Sequence, residues 1–428
     1  MRTFVGFGLG PIQAGLFLAE AHRSGRYSRL VVAETAPDVL GPVRRAEAVG
    51  VNVAHADRVQ ALTIAPVEVF DPTMPADRAA LVDAVAGADE MATALPSVAA
   101  YAGGGRAGVA ALLAEGLGRK VAGRGPLAVV YAAENQIGAA GLLAAAVLEH
   151  VPEAGRAPVR RRVQFLDTVI GKMSGRAAAG GDLVPIAPGA QHAFLVESFN
   201  RILTGQVRRP DDAGGGRDLD PDWAGFQSGI PVFDPKPDLV PFAEAKLYGH
   251  NAGHALAAYL ARLLGFTWMH QLRERADLLT VVVEAMAKES GAPLARRYAG
   301  VDPLFAPEGF RAHASDLVGR MVNPFVRDTV ARVGRDPARK LGWNDRLIGA
   351  MRLALEAGIE PRRYAWGAAA ALDALGVRAE EAPGRLLDIW RPAAPLPEHS
   401  RALLAHIGTA CDRMHVWRAR GCPVLDVE

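Results

Sequence analysis

A glycine-rich turn between an apolar strand and a helix constrains this chain more than any other feature. The run Phe7-Gly8-Leu9-Gly10-Pro11-Ile12-Gln13-Ala14-Gly15 follows an apolar stretch over 3–7 and leads into a helical pattern over 11–24. A second apolar run at 30–33 closes a βαβ unit, the opening of a doubly wound parallel sheet. Buried-strand runs at 90–94, 127–132 and 163–166 alternate with alanine-rich helical stretches at 109–117 and 141–150, which extends that sheet.

At 428 residues the chain exceeds one ordinary core, so two or three domains are expected. Between 208 and 233 the composition shifts to Pro, Gly and Asp, with Gly214, Gly215 and Gly216 in a row, which reads as a linker. The expected division is 1–205 for the first domain and 206–428 for the second. Beyond Pro237 the periodicity is helical, over 242–264, 272–290, 314–321 and 344–357. The predicted fold is an α/β N-terminal doubly wound, Rossmann-like domain followed by a mainly α-helical C-terminal domain.

Charge narrows the partners. With 48 basic and 46 acidic residues the net charge of +2 creates no large field for nucleic acid or an anionic membrane, so a small-molecule substrate is expected. Only Cys411 and Cys422 are present, too few for a disulfide framework, which fits a reducing cytoplasm. The apolar opening is broken by three glycines, Pro11 and Gln13, which suits a turn better than a secretory signal. The longest other apolar stretch, 138–148, falls far short of the ~20 residues a membrane span needs.

Glycines where a strand hands over to a helix let the backbone approach a pyrophosphate, and the helix N-terminus offers that anion free N–H groups. Gly8 and Gly10 match the first two positions of this fingerprint, Gln13 stands at the third, and Gly15 follows two residues late. Glu34 ends the second strand, where a carboxylate accepts from ribose hydroxyls and repels a 2′-phosphate, so the expected cofactor is NAD rather than NADP. The same residues also suit a turn whose glycines serve helix packing and whose glutamate caps a strand.

In the first helix of the second domain stand Lys246, Asn251 and His254, with Gly249, Ala252, Gly253 and Ala255 among them. Asn251 and His254 share a helical face and Lys246 lies on a neighbouring stripe. A desolvated lysine whose pKa falls toward neutrality can remove a hydroxyl proton during alcohol oxidation, while Asn251 and His254 hold the substrate oxygen. Taken singly, such residues are more commonly an exposed lysine and a buried histidine. His250 and His254 have metal-ligand spacing, but Asn251 replaces the general-base glutamate of the usual two-histidine motif, so no metal is expected.

The spacing of Lys246, Asn251 and His254 resembles that of the polyol-specific long-chain dehydrogenases, and Gly253-His254-Ala255 with Ala258-Tyr259-Leu260 extends the likeness. Glu289-Ser290-Gly291-Ala292, Arg297-Tyr298, Asn323-Pro324-Phe325, Arg332-Val333-Gly334-Arg335, Arg339-Lys340-Leu341 and Asp345-Arg346-Leu347 continue it to about Ile359. In the first domain the likeness rests on Phe7-Gly8, Gly10, Ala133-Glu134-Asn135, Phe165 and Asp167-Thr168. Three departures stand out: Gln13 for the third glycine, Gly171-Lys172 for an Asp-Arg pair, and Ala133 for a cysteine.

The resemblance implies Lys246 as general base, Asn251 and His254 as polarising groups, and Glu134 and Asn135 on the nucleotide side beside Gly8, Gly10, Gln13 and Glu34. Arg332, Arg335, Arg339 and Lys340 belong to a basic run, which also holds Arg327 and Arg346, where guanidinium forks can clamp a phosphate or carboxylate. The implied activity is reversible hydride transfer between NAD and a polyol or its phosphate, with mannitol 1-phosphate and fructose 6-phosphate the first pair. Reduction of a hexuronate, fructuronate or tagaturonate, is the same chemistry with a different anion. A dinucleotide-binding sensor without turnover is the reading that Gln13 and Gly171-Lys172 motivate. A metal-dependent hydrolase using His250 and His254 is a further one, to be recognised by bound metal.

Overall fold

The structure, a computed structural model, describes residues 2–212, 218–391 and 398–427. It divides into two compact units, Met1–Val240 and Pro241–Glu428. In the first unit the strands in chain order are β1 (Arg2–Phe7), β2 (Tyr27–Ala33), β3 (Val49–Ala54), β4 (Val59–Ile64), β5 (Glu68–Phe70) and β6 (Glu90–Thr93). They continue with β7 (Ala128–Ala132), β8 (Val163–Val169), β9 (Ser174–Ala178), β10 (His192–Glu197), β11 (Ile202–Gly205) and β12 (Phe233–Lys236). The main sheet runs β12-β11-β8-β7-β6-β1-β2-β5, and every pairing from β8 to β5 is parallel.

The expected strands near 3–7, 30–33, 90–94, 127–132 and 163–166 all lie in this sheet. Their continuous apolar runs arise because a parallel sheet is covered on both faces; β7, Ala-Val-Val-Tyr-Ala, is buried at every position. The buried carboxylate of Glu90 is satisfied by Tyr27 Oη at 2.5 Å, Tyr131 Oη at 2.8 Å, Ser228 Oγ at 2.6 Å and the Gly229 N–H at 2.5 Å. These bonds tie the chain at 228–229 to the sheet.

That tie bears on the boundary. The sequence places it at 205/206, whereas the structure divides at 240/241. Strand β12 pairs in parallel with β11, and β11 runs antiparallel to β8, so the chain after the glycine run returns to the first sheet. Trp223 is fully buried and donates its indole N–H to the Arg161 carbonyl at 2.9 Å. Gly214, Gly215 and Gly216 lie outside the described residues.

A second sheet, β4-β3-β10-β9, has no counterpart in the sequence reading. It covers the helical segment after the first turn: a Cβ on Gly15 would overlap the side chain of Val196 in β10, so only glycine allows this approach. Asn52 anchors the sheet from inside, donating to the carbonyls of Val184 and Phe194 and accepting from the Val184 N–H.

The second unit is helical, as expected. One continuous helical rod comprises Val240–Glu244, a π-helical segment Ala245–Asn251, and Ala252–Leu263. Ala276–Glu284, a second π-helical segment Ala285–Gly291, and Ala292–Arg297 form another. Helices Pro307–Met321, Arg346–Glu356, Arg362–Ala374 and Ser400–Ala419 complete the larger elements. The last docks with Trp417 edge-on to Trp366, ring centroids 5.8 Å apart, and Arg275 holds the carbonyls of Cys422 and Pro423. No helix among the described residues is long and apolar enough to cross a membrane.

Candidate active site

Two sets of candidate residues lie in separate units. In the first, Gly8 sits just past β1 with φ +81, a left-handed conformation that glycine adopts without penalty, and a Cβ there would meet the Ala94 carbonyl at 3.1 Å. Gly10 faces open space, with no atom within 4 Å of where a Cβ would stand. Strand order reverses between β1 and β6, so this turn lies at the switch point where open α/β sheets take nucleotides. Glu34 follows β2 and accepts from the Leu9 N–H of the turn at 2.6 Å, and from Thr35 and Ala36 at 2.7 and 2.8 Å. The carboxylate expected at the ribose therefore also fixes the glycine turn.

Gln13 is accommodated by a reciprocal exchange of size. Its side chain lies fully buried against β1, where Gly6 leaves the room; a Cβ on Gly6 would overlap the Gln13 amide. Both polar atoms of that amide lack a hydrogen-bond partner among the described residues. Glu134 is buried and accepts from Thr93 Oγ1 at 2.9 Å, the Leu95 N–H at 2.8 Å and the Tyr101 hydroxyl, which shapes the loop after β6. Asn135 beside it is exposed. Lys172, at the second departure from the family pattern, donates to the Phe199 carbonyl and to Asn200.

In the second unit, Lys246 and Asn251 occupy the π-helical segment and His254 the first turn of the α-helix after it. In an α-helix, residues five apart point roughly 140° away from each other. In a turn closed by i→i+5 bonds they lie close to one face, which brings Lys246 toward Asn251. The sequence shows no sign of this widening. Close packing accounts for the small residues: a Cβ on Gly253 would overlap Met286, and one on Gly249 would come within 3.1 Å of Phe310. Other side chains of the unit pack closely against those glycines.

Burial, and after it the positive charge of Arg346, pulls the Lys246 ammonium down to about 8. Burial also dominates at His254 and brings it down to about 4; Asp328 acts against the shift, while Arg332, Arg346 and Lys340 add to it. His254 is therefore neutral near pH 7. Asp328 Oδ2 stands 3.5 Å from His254 Nε2 and binds both forks of Arg332, at 2.7 and 2.6 Å. Nε2 itself makes no hydrogen bond among the described residues. His250, ring centroid 6.1 Å from that of His254, is buried and shifted far below the usual histidine range.

The basic run splits by environment. Lys340 is buried, donates to the Arg335 carbonyl, and is brought down to about 8 by burial, then Arg346 and Arg339. Arg346 begins helix Arg346–Glu356 and donates Nε to the capping Asp345 at 2.8 Å. Arg332, Lys340 and Arg346 all act on the charge of His254; Arg332 is exposed like Arg335 and Arg339, but its guanidinium is held by Asp328. Asp328 and the weight of Arg346 were missed in the sequence; the Asp328–Arg332 spacing of four was the available signal. No group of three His, Cys, Asp or Glu side chains among the described residues could hold a metal ion.

The chain is similar to known proteins in both sequence and fold. The family model of the mannitol dehydrogenase C-terminal domain matches residues 238–393. The mannitol-1-phosphate 5-dehydrogenase of Bacillus licheniformis is 31% identical over 373 residues, 86% of this chain and 86% of that protein. The enzyme of that name from Caldanaerobacter subterraneus subsp. tengcongensis is 40% identical over 135 residues, 32% of this chain and 33% of its own length. Among solved structures, Pseudomonas fluorescens mannitol 2-dehydrogenase in ternary complex with NAD and D-mannitol has a TM-score of 0.66 at 14% identity, covering 98% of this chain and 92% of that one. A substrate-free D-sorbitol dehydrogenase reaches 0.70 at 14% identity, covering 98% and 94%. At such identity the two structures share the fold.

Proposed function

We propose that this chain, which belongs to the mannitol dehydrogenase family, is an NAD-dependent oxidoreductase that interconverts a polyol phosphate and its keto sugar, with mannitol 1-phosphate and fructose 6-phosphate as the pair. The observation that carries the mechanism is Lys246, held near neutrality by burial and Arg346. At mildly alkaline pH its amine removes the hydroxyl proton of the alcohol. NAD, when bound, supplies the hydride acceptor. Asn251 and neutral His254 hold the substrate oxygen as it becomes a carbonyl, and in reduction the Lys246 ammonium returns the proton. No metal is required by this scheme.

The first unit fits the cofactor. Gly10 leaves its approach open, Gly8 and Glu34 fix the turn at the switch point, and the Glu34 carboxylate disfavours a 2′-phosphate. Gln13 and Glu134 act from the core by shaping this region, and Asn135 remains a candidate contact. For the substrate anion we assign Lys340, Arg346 and Arg332, the cations that act on His254. Two unpaired cysteines, Cys411 and Cys422, accord with a reducing cytoplasm.

The test is NADH oxidation without added metal, using fructose 6-phosphate, fructose, fructuronate and tagaturonate separately. Turnover with fructose 6-phosphate alone is the expected result. Preference for a uronate keeps the chemistry and replaces the phosphate by a carboxylate. NADH binding without turnover of any ketose favours the sensor reading, and dependence on added metal overturns the metal-free scheme.

A further inference from the structure

The widened turn that carries Lys246 leaves one carbonyl in need of a donor. In a regular α-helix the Tyr248 carbonyl accepts from the Ala252 N–H, but that N–H donates to the Gly249 carbonyl. The Tyr248 carbonyl is met from outside its own helix. Ser290 donates Oγ–H to it at 2.6 Å, and Tyr364 Oη lies 3.2 Å from the same oxygen and 2.8 Å from Ser290 Oγ. Ser290 belongs to the second π-helical segment and Tyr364 to helix Arg362–Ala374, and both are fully buried.

Next to Ser290, the buried Glu289 accepts from the Arg363 N–H at 2.8 Å and the Tyr364 N–H at 3.0 Å. Its carboxylate anchors the helix start that presents Tyr364. Two π-helical segments and a third helix thus meet at one carbonyl, two residues beyond Lys246. We propose that Ser290 and Tyr364 are positioning residues for Lys246: their hydroxyls stabilise the widened turn that brings Lys246 toward the side of Asn251. This inference rests on the reading of Lys246 as the base.

The physical alternative for the rod is to expel the extra residue and restore i→i+4 bonding. That change rotates Lys246 by roughly 100° relative to Asn251 and His254. A buried carbonyl stripped of its hydroxyl donors favours the expulsion, because it recovers the Ala252 N–H. Both hydroxyls reach the carbonyl and act on it together, so each single loss weakens the hold and the variant that lacks both removes it.

The experiment compares the full-length parent with Tyr364→Phe, Ser290→Ala, the double variant and Lys246→Ala. Steady-state kinetics with NADH and fructose 6-phosphate are paired with acetic anhydride labelling of Lys246 across pH, read by peptide mass spectrometry. The double variant is expected to lose about 100-fold in kcat, with an unchanged KM for NADH. Its Lys246 titrates closer to an ordinary lysine than in the parent. Parental kcat and parental Lys246 titration in a folded double variant overturn the inference. If the double variant does not fold, Tyr364→Phe decides: an upward move of its Lys246 titration supports the inference and a parental one overturns it. Retained turnover in Lys246→Ala overturns the lysine-base reading itself, while the labelling still reports on the turn.

Discussion

The carboxylate of Asp328 stands 3.5 Å from His254 Nε2 and receives both forks of the Arg332 guanidinium. One buried carboxylate thereby faces two groups at once, an imidazole that burial keeps neutral and a cation assigned to the substrate anion. Asp328→Asn removes the charge that opposes the downward shift of His254, so His254 stays neutral and its titration does not enter the pH profile. The expected defect is positional: kcat lower on the order of tenfold and a raised KM for the ketose. Unchanged steady-state constants would show that Asp328 has no part in the site.

Under the proposed scheme Lys246 governs the pH dependence. Its pKa is lowered to about 8, first by burial and then by Arg346. Alcohol oxidation needs the neutral amine and rises with pH through that value, whereas ketone reduction needs the ammonium and falls through it. Arg346→Gln removes a positive charge and moves both limbs upward. Lys246→Ala is expected to lower kcat by roughly 10²–10⁴ while NADH binding, followed by fluorescence, persists. A reduction rate that climbs between about pH 7 and about pH 9 would contradict the assignment.

Gly6 and Gln13 should be energetically coupled, since the missing side chain of one makes room for the other. Gly6→Ala overpacks the site and is expected to cost about 1–3 kcal/mol. In a Gln13→Ala background the same change is nearly neutral, because the obstructing amide is gone. Thermal unfolding midpoints of the four proteins in this cycle provide the check; strictly additive shifts would exclude the exchange.

Burial outweighs the hydrogen bonds at Glu289 and raises its pKa from 4.5 to about 7. A carboxyl whose pKa is higher in the folded than in the unfolded chain adds stability below the unfolded value. That contribution is lost as pH rises through the folded value. Glu289→Gln, which cannot accept both N–H groups as well, should be less stable than the parent near about pH 5. The gap should narrow by on the order of 1–3 kcal/mol near about pH 8. Unfolding scans at the two pH values test this, and a gap that widens with pH reverses the sign.

The readable part of the fold was local. Strand β7 is apolar at every position, so its burial in a parallel sheet shows in its composition, and the long helices declare themselves by their period. Strand β12, Phe-Asp-Pro-Lys, carries neither signal; only its pairing with β11 identifies it, and the unit boundary moves with it. The second sheet escaped for a similar reason, since it is assembled by the pairing of β3 with β10, a partner distant in the chain.

The site divides along the same line. Spacing set Lys246, Asn251 and His254 apart as candidates, and the glycine turn with Glu34 marked a candidate nucleotide site, because backbone geometry and residue chemistry at short range are written directly in the chain. Whether that lysine titrates near 8 was decided by burial and by Arg346, one hundred positions away. The widened turn depends on donors 42 and 116 residues beyond Tyr248. Desolvation and long-range hydrogen bonding are properties of what surrounds a residue, and the surroundings exist only once the distant segments have packed.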